Sequence, residues 1–130
     1  MDAVGGVKMN LGKSQRMPVY NDGYFELYDI VDDPEGDFPE KKIKKRDIGK
    51  IYYRELAIFD RTQEIFQQDN KQATAKLAIP QWDGISSDCV IVIDGKQHKV
   101  FNCAPVISKQ GYRETEITCI NPEMEYEVME

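Results

Sequence analysis

Residues 51–122 read IYYRELAIFDRTQEIFQQDNKQATAKLAIPQWDGISSDCVIVIDGKQHKVFNCAPVISKQGYRETEITCINP. The order is one strand, a short helix, then a run of strands broken by a tight hairpin. The hairpin is the firmest local signal. Asp94-Gly95 lies between CVIVI and KQHKV, and a two-residue hairpin turn wants positive φ at both central positions, which Asp-Gly supplies. The turn sets Ile93 opposite Lys96, Ile91 opposite His98 and Cys89 opposite Val100. Ile91 and His98 then share one face, while Val90, Val92 and Phe101 share the other. Both faces are partly apolar, so the hairpin is expected to be covered on both sides.

Working outward, Ala73, Ala75, Leu77 and Ile79 alternate with polar residues in a strand that stops at Pro80, and Trp82-Asp83-Gly84 reads as a turn. Asp60 caps a helix from about Arg61 to Asp69, with Gln63 completing a capping box. Its only apolar residues are Ile65 and Phe66, so it needs a sheet to pack on. Pro105 lacks a ladder donor and marks a bulge or an edge. Arg113 to Ile120 forms the final strand, and an acidic tail, residues 123–130, carries Glu123, Glu125, Glu127 and Glu130. On the other side, Gly23 to Val31 is a first, aromatic-rich strand. Residues 1–17 have no periodic apolar face and read as a loose arm.

Between the first two strands the chemistry changes. DDPEGDFPE, residues 32–40, has two prolines and a glycine, and its carboxylates include Asp32, Asp33, Glu35 and Asp37. KKIKKR follows at once, with Lys41, Lys42, Lys44, Lys45 and Arg46. Adjacent acidic and basic blocks read as a long charged loop over 32–50, the feature most open to a functional role. The expected fold is all-β: a small β-barrel of about six mainly antiparallel strands with one short α-helix, occupying residues 18–122.

A chain of 130 residues fits one domain. Its net charge is −6, which argues against a protein that coats nucleic acid through a net basic footprint. No apolar run is long enough to span a membrane, and the first residues lack the apolar core of a secretory signal. Cys89, Cys103 and Cys119 are odd in number and lie in strand-like sequence, which suits reduced, buried thiols better than a disulfide framework.

Candidate chemistry is thin. A catalytic arrangement would have to use His98, the single histidine, whose hairpin position on an apolar face reads as structural. The cysteines lack the short paired spacing of zinc sites, and the hairpin register puts Cys89 and Cys103 on opposite faces. The acidic loop does not have the ligand spacing of a calcium loop. Neither a glycine-rich phosphate loop nor a nucleophile elbow is present. The reading is a non-enzyme with no metal and no cofactor. The five basic residues 41–46 remain as contact candidates for a phosphate backbone or an acidic protein. They have no interleaved aromatics for base stacking.

Several short signatures together resemble the phage head–tail joining family, whose members are also called head-closure or stopper proteins. Tyr52-Tyr53-Arg54-Glu55-Leu56 resembles the family's strand before its helix. Asp60-Arg61-Thr62-Gln63-Glu64-Ile65-Phe66 resembles the helix itself. Ile85-Ser86-Ser87-Asp88 resembles the approach to the hairpin, and Ile93-Asp94-Gly95-Lys96-Gln97-His98-Lys99-Val100 the hairpin, with His98 where an aromatic is usual. Arg113-Glu114-Thr115-Glu116-Ile117-Thr118 resembles the polar last strand. The likeness covers about residues 51–121. The family differs in lacking the long arm and the charged stretch at 32–46.

The resemblance implies a structural virion protein that forms a ring below the portal and its adaptor, helps retain DNA and docks the tail. Its partners would be portal, adaptor and tail proteins, other copies of itself and packaged DNA. Its place would be the virion, and the bacterial cytoplasm during assembly. A tail-completion or tail-terminator protein, or a small OB-like nucleic-acid-binding module, are the alternatives.

Overall fold

The computed structural model describes residues 18–33, 40–58 and 73–129. They form seven strands: β1 (Gly23–Asp33), β2 (Glu40–Glu55), β3 (Ala73–Pro80), β4 (Cys89–Ile93), β5 (Lys96–Ile107), β6 (Arg113–Ile120) and β7 (Val128–Met129). The fold is all-β and almost wholly antiparallel. The order β1-β4-β5-β6-β3-β2 closes on itself, because β2 also pairs with β1. Six strands therefore make a ring of hydrogen-bonded pairs. β7 adds the one parallel pairing, on β2. The expected helix at 60–69 lies outside the described residues.

The β4–β5 hairpin has the register its turn dictates, with Ile93 opposite Lys96 and Ile91 opposite His98. Asp94 and Gly95 take φ of 51° and 80°, the left-handed conformation a two-residue hairpin needs. Cys89, Val90 and Ile91 are all fully buried, so both faces of β4 are covered.

The interior of the ring holds Phe25 and Leu27 of β1, Tyr53 of β2, Leu77 and Ile79 of β3, Ile91 of β4, Val100 of β5, and Ile117 and Cys119 of β6. Phe25 and Tyr53 stack with ring centroids 6.2 Å apart. Each fully buried aliphatic or Phe side chain contributes about 1.5–3 kcal/mol, which makes this cluster the main source of stability. A second, smaller cluster lies on the other face of the sheet, where Ala73 and Ile120 pack with Ile58 and Phe101.

Two expectations need correction. The stretch 32–50 is not a long loop. Asp32 and Asp33 end β1, residues 40–50 begin β2, and the two strands pair directly, Asp33 with Glu40 and Ile30 with Ile43. Ile43, in the middle of KKIKKR, is fully buried. Glu35 and Asp37 lie outside the described residues. A charged sequence can be a strand when its charges meet opposite charges across the ladder.

The cysteines also differ from expectation. The β5–β6 register shifts between Val100 and Asn102. This bulge at Phe101 reverses the side-chain alternation downstream, so Cys103 packs against the same cluster as Cys89 and Cys119. All three are free thiols. Burial pushes the Cys119 thiol up to about 12 and also raises that of Cys103. Pro105 is paired to β6 but lies beyond the part of β5 that pairs with β4, so its missing donor falls on an open side.

Candidate functional site

The β1–β2 hairpin carries the charged residues singled out by sequence, and its pairing brings the two blocks together. Asp32 stands opposite Lys41, and their side chains meet at 3.3 Å. Lys42 reaches Asp33 at 2.7 Å and Glu127, next to β7, at 3.4 Å. Lys45 bonds Glu26 at 2.5 Å. These contacts hold Lys42 and Lys45 above the usual lysine range, led in each case by the hydrogen bond to the facing carboxylate. Of the five cations, Lys44 alone makes no ion pair among the described residues. The basic run is therefore largely neutralised within its own hairpin, and its field at a distance is weak.

Arg46 has a different role. Between Glu26 and Tyr28 on β1, the partner on β2 jumps from Lys50 to Lys45, so residues 46–49 leave the ladder. Gly49, with φ of 77°, supplies the left-handed turn back into it. At the start of this bulge Arg46 forks onto Asp29. Its Nε donates to Oδ2 at 3.0 Å and its Nη2 to Oδ1. Nη1 donates to the Gly84 carbonyl at 2.5 Å, and the guanidinium lies 5.9 Å from the centre of the Trp82 ring. The Cys89 thiol donates to Asp29 Oδ1 at 3.6 Å. The Arg46 hydrogen bond leads in holding the Asp29 carboxyl below its ordinary value. A planar, bidentate pair of this kind fixes direction as well as charge. Arg46 thus ties the bulge to the 81–88 connection.

Gly84 lies directly against the Trp82 indole, which a Cβ would run into. Gly84→Ala is expected to cost about 1–3 kcal/mol through overpacking. Urea unfolding checks this, with Gly111→Ala as the comparison, since a Cβ at Gly111 meets no neighbour and only its positive φ opposes the change.

Beside this bulge, Ile48, Ile51, Ile79, Pro80 and Trp82 line a shallow apolar hollow of about 250 Å³. Ile48 is 44% exposed. Across the β1–β2 pair, Tyr24 and Tyr52 are opposite neighbours, their rings 5.8 Å apart. Lys50 Nζ stands 4.5 Å from the centre of the Tyr24 ring. Both tyrosines are exposed. Sequence reasoning missed this aromatic and cationic patch because the two tyrosines meet only through the hairpin register.

It also missed a buried ionic cluster. Glu114 of β6 is 1% exposed. Arg54 Nη2 donates to its Oε1 at 2.7 Å, and the Tyr20 hydroxyl donates to Oε2 at 2.9 Å. The cluster borders a groove of about 530 Å³ lined also by Leu56, Val106, Ile107 and Lys109. Burial, with the Glu114 hydrogen bond second, pushes the Tyr20 phenol up to about 12.

That shift gives an alkaline prediction. The folded state favours the neutral phenol, so its contribution is complete below the ordinary tyrosine value near 10. It is lost as pH rises from about 10 towards 12. Urea midpoints should fall over that window in the wild type, and fall less in Tyr20→Phe.

His98 is buried, with Nδ1 2.9 Å from the Thr74 hydroxyl. Burial lowers its pKa, and nearby Lys96 adds to this. The pair is a satisfied structural contact. Among the described residues no group of three or more His, Cys, Asp or Glu side chains is placed to hold a metal ion. No helix there is long and apolar enough to cross a membrane. Compared with known families and with curated proteins, the chain matches no family model and no curated sequence.

Proposed function

We propose that this chain is a structural connector subunit of a tailed phage, a head-closure-type protein that forms a ring below the portal and adaptor, helps retain DNA and docks the tail. The observation that carries the reading is the closed cycle of six strand pairings with a hairpin running past it. We read the cycle as a small barrel. A closed barrel has few free edges and makes a rigid wedge, which suits a subunit packed side by side in a ring. β1 pairs with β4 only over Glu26–Asp29, while its pairing with β2 continues to Asp33. The paired ends of β1 and β2 thus run on past β4, and in this reading they are the part that meets a neighbour or the channel.

The internal neutralisation of the basic run changes what the hairpin is expected to do. Its paired charges suit contact with another protein surface, where partners can be exchanged, more than a grip on DNA. In a phage encoding this chain, an early stop codon in the gene should give filled heads that lose DNA and tails that stay unattached. Normal infectious particles from that mutant would refute the reading.

The Tyr24–Tyr52 patch favours one rival, a nucleic-acid-binding barrel, because exposed aromatics beside Lys50 offer a stacking surface. Single-stranded DNA binding that falls steeply with salt and is lost in Tyr24→Ala would select that rival. The connector reading predicts no such binding.

A further inference from the structure

The segment after β6 crosses the molecule as a strap, and it is held at few points. Gln97 clasps Tyr126 through two reciprocal bonds of 2.8 Å: its Nε2 donates to the Tyr126 carbonyl, and the Tyr126 N–H donates to its Oε1. The Ile43 N–H donates to the Glu127 carbonyl at 3.0 Å. Val128 and Met129 then pair in parallel with Ile43 and Lys44. Glu127, itself exposed, adds an ion pair to Lys42. Under the strap, between Gly95, Lys96, Gln97, Asn121, Pro122 and Glu125, lies an open volume of about 470 Å³. Met124 is 72% exposed and Val128 45%. The strap covers the outer edge of β2 without being packed into a core.

We propose that this strap is an exchangeable strand: in an assembly it occupies the β2 edge of a neighbouring copy, in the slot its own chain fills in the isolated subunit. The occupant is a second copy of this chain, since the slot already accepts this sequence, with Glu127 set to meet Lys42. The energetics favour exchange only when copies are crowded. A short flexible tether holds its own end at an effective concentration of about millimolar. Below that chain concentration each strap returns to its own β2. Between neighbours fixed side by side, the local concentration is comparable, and exchange replaces each contact with an identical one. Passed in one direction from copy to copy, such a contact is heterologous and closes by rotation into a ring; traded between two copies it closes as a dimer. The proposal takes from the connector reading only that copies stand side by side.

The test uses Lys44→Cys and Met129→Cys, which face each other across the slot, on separate full-length chains. The two are mixed at about 1 mM, the effective concentration, and at about 10 μM, well below it, then oxidised and mapped by peptide mass spectrometry. Exchange predicts an inter-chain 44–129 bond at the higher concentration, at least about tenfold above the yield at the lower one, and in excess over 44–44 and 129–129 bonds. A Gln97→Ala background, which removes the clasp from the closed and the exchanged form alike, should speed the approach to that yield without changing it. Absence of the inter-chain 44–129 bond at both concentrations in both backgrounds overturns the proposal. The experiment contains no phage component, so its result is independent of the early-stop mutant that judges the connector reading.

Discussion

Arg54→Met is expected to destabilise the protein by about 3 kcal/mol, the low end of the cost of breaking a buried ion pair. Glu114 has a side chain only 2% exposed, against 34% for Arg54. Removing the arginine leaves a buried carboxylate with the Tyr20 hydroxyl as its remaining donor among the described residues. An unpaired buried charge costs more than the pair contributes. The second half of the prediction follows from that asymmetry. Arg54→Met with Glu114→Leu should recover most of the loss, because an apolar pair of similar volume needs no counter-charge. The Arg54 Nε is buried with no acceptor among the described residues, so its replacement also removes a polar group that gains nothing. The Tyr20 hydroxyl is only half-buried and can turn to water. Urea unfolding of the two single variants and the double gives the coupling directly. A loss under about 1 kcal/mol for Arg54→Met, the scale of an exposed surface pair, would show that the cluster is not buried as described.

Ile43→Ala should cost about 2–5 kcal/mol, as for a fully buried aliphatic residue. Lys44→Ala, next to it, should stay within about 0.5 kcal/mol of the wild type. This contrast separates two readings of KKIKKR. A solvated loop would tolerate both changes. A strand with Ile43 buried tolerates only the second. Replacing all five cations at once is expected to destabilise the fold, since Arg46 holds Asp29, Gly84 and the bulge together.

The parts of the fold that were legible in sequence have strong local chemistry. Asp94-Gly95 fixed its hairpin register because few dipeptides accept two positive φ angles. β3 and β6 showed themselves by alternation between clear stops. The charged hairpin was misread because loop and strand share a composition when charges pair across a ladder. Asp32 and Lys41 look solvated until they are opposite neighbours, and Ile43 is the one apolar residue within the basic run. The bulge at Phe101 has no glycine or proline to announce it, so the facing of Cys103 was not readable. Arg54 and Glu114 lie 60 residues apart, and Tyr24 and Tyr52 belong to different strands. Neither pair is visible before the order of strands is known.

The central claim, that this chain is a ring subunit between head and tail, is tested most directly by electron cryomicroscopy of the neck of intact particles from a phage that encodes it. The account predicts a closed ring of copies of this chain between the portal–adaptor assembly and the tail. Each copy should show the six-strand cycle, with the β1–β2 hairpin directed at a neighbour or the channel. A neck fully built from other chains, with this one absent from the particle, would contradict it.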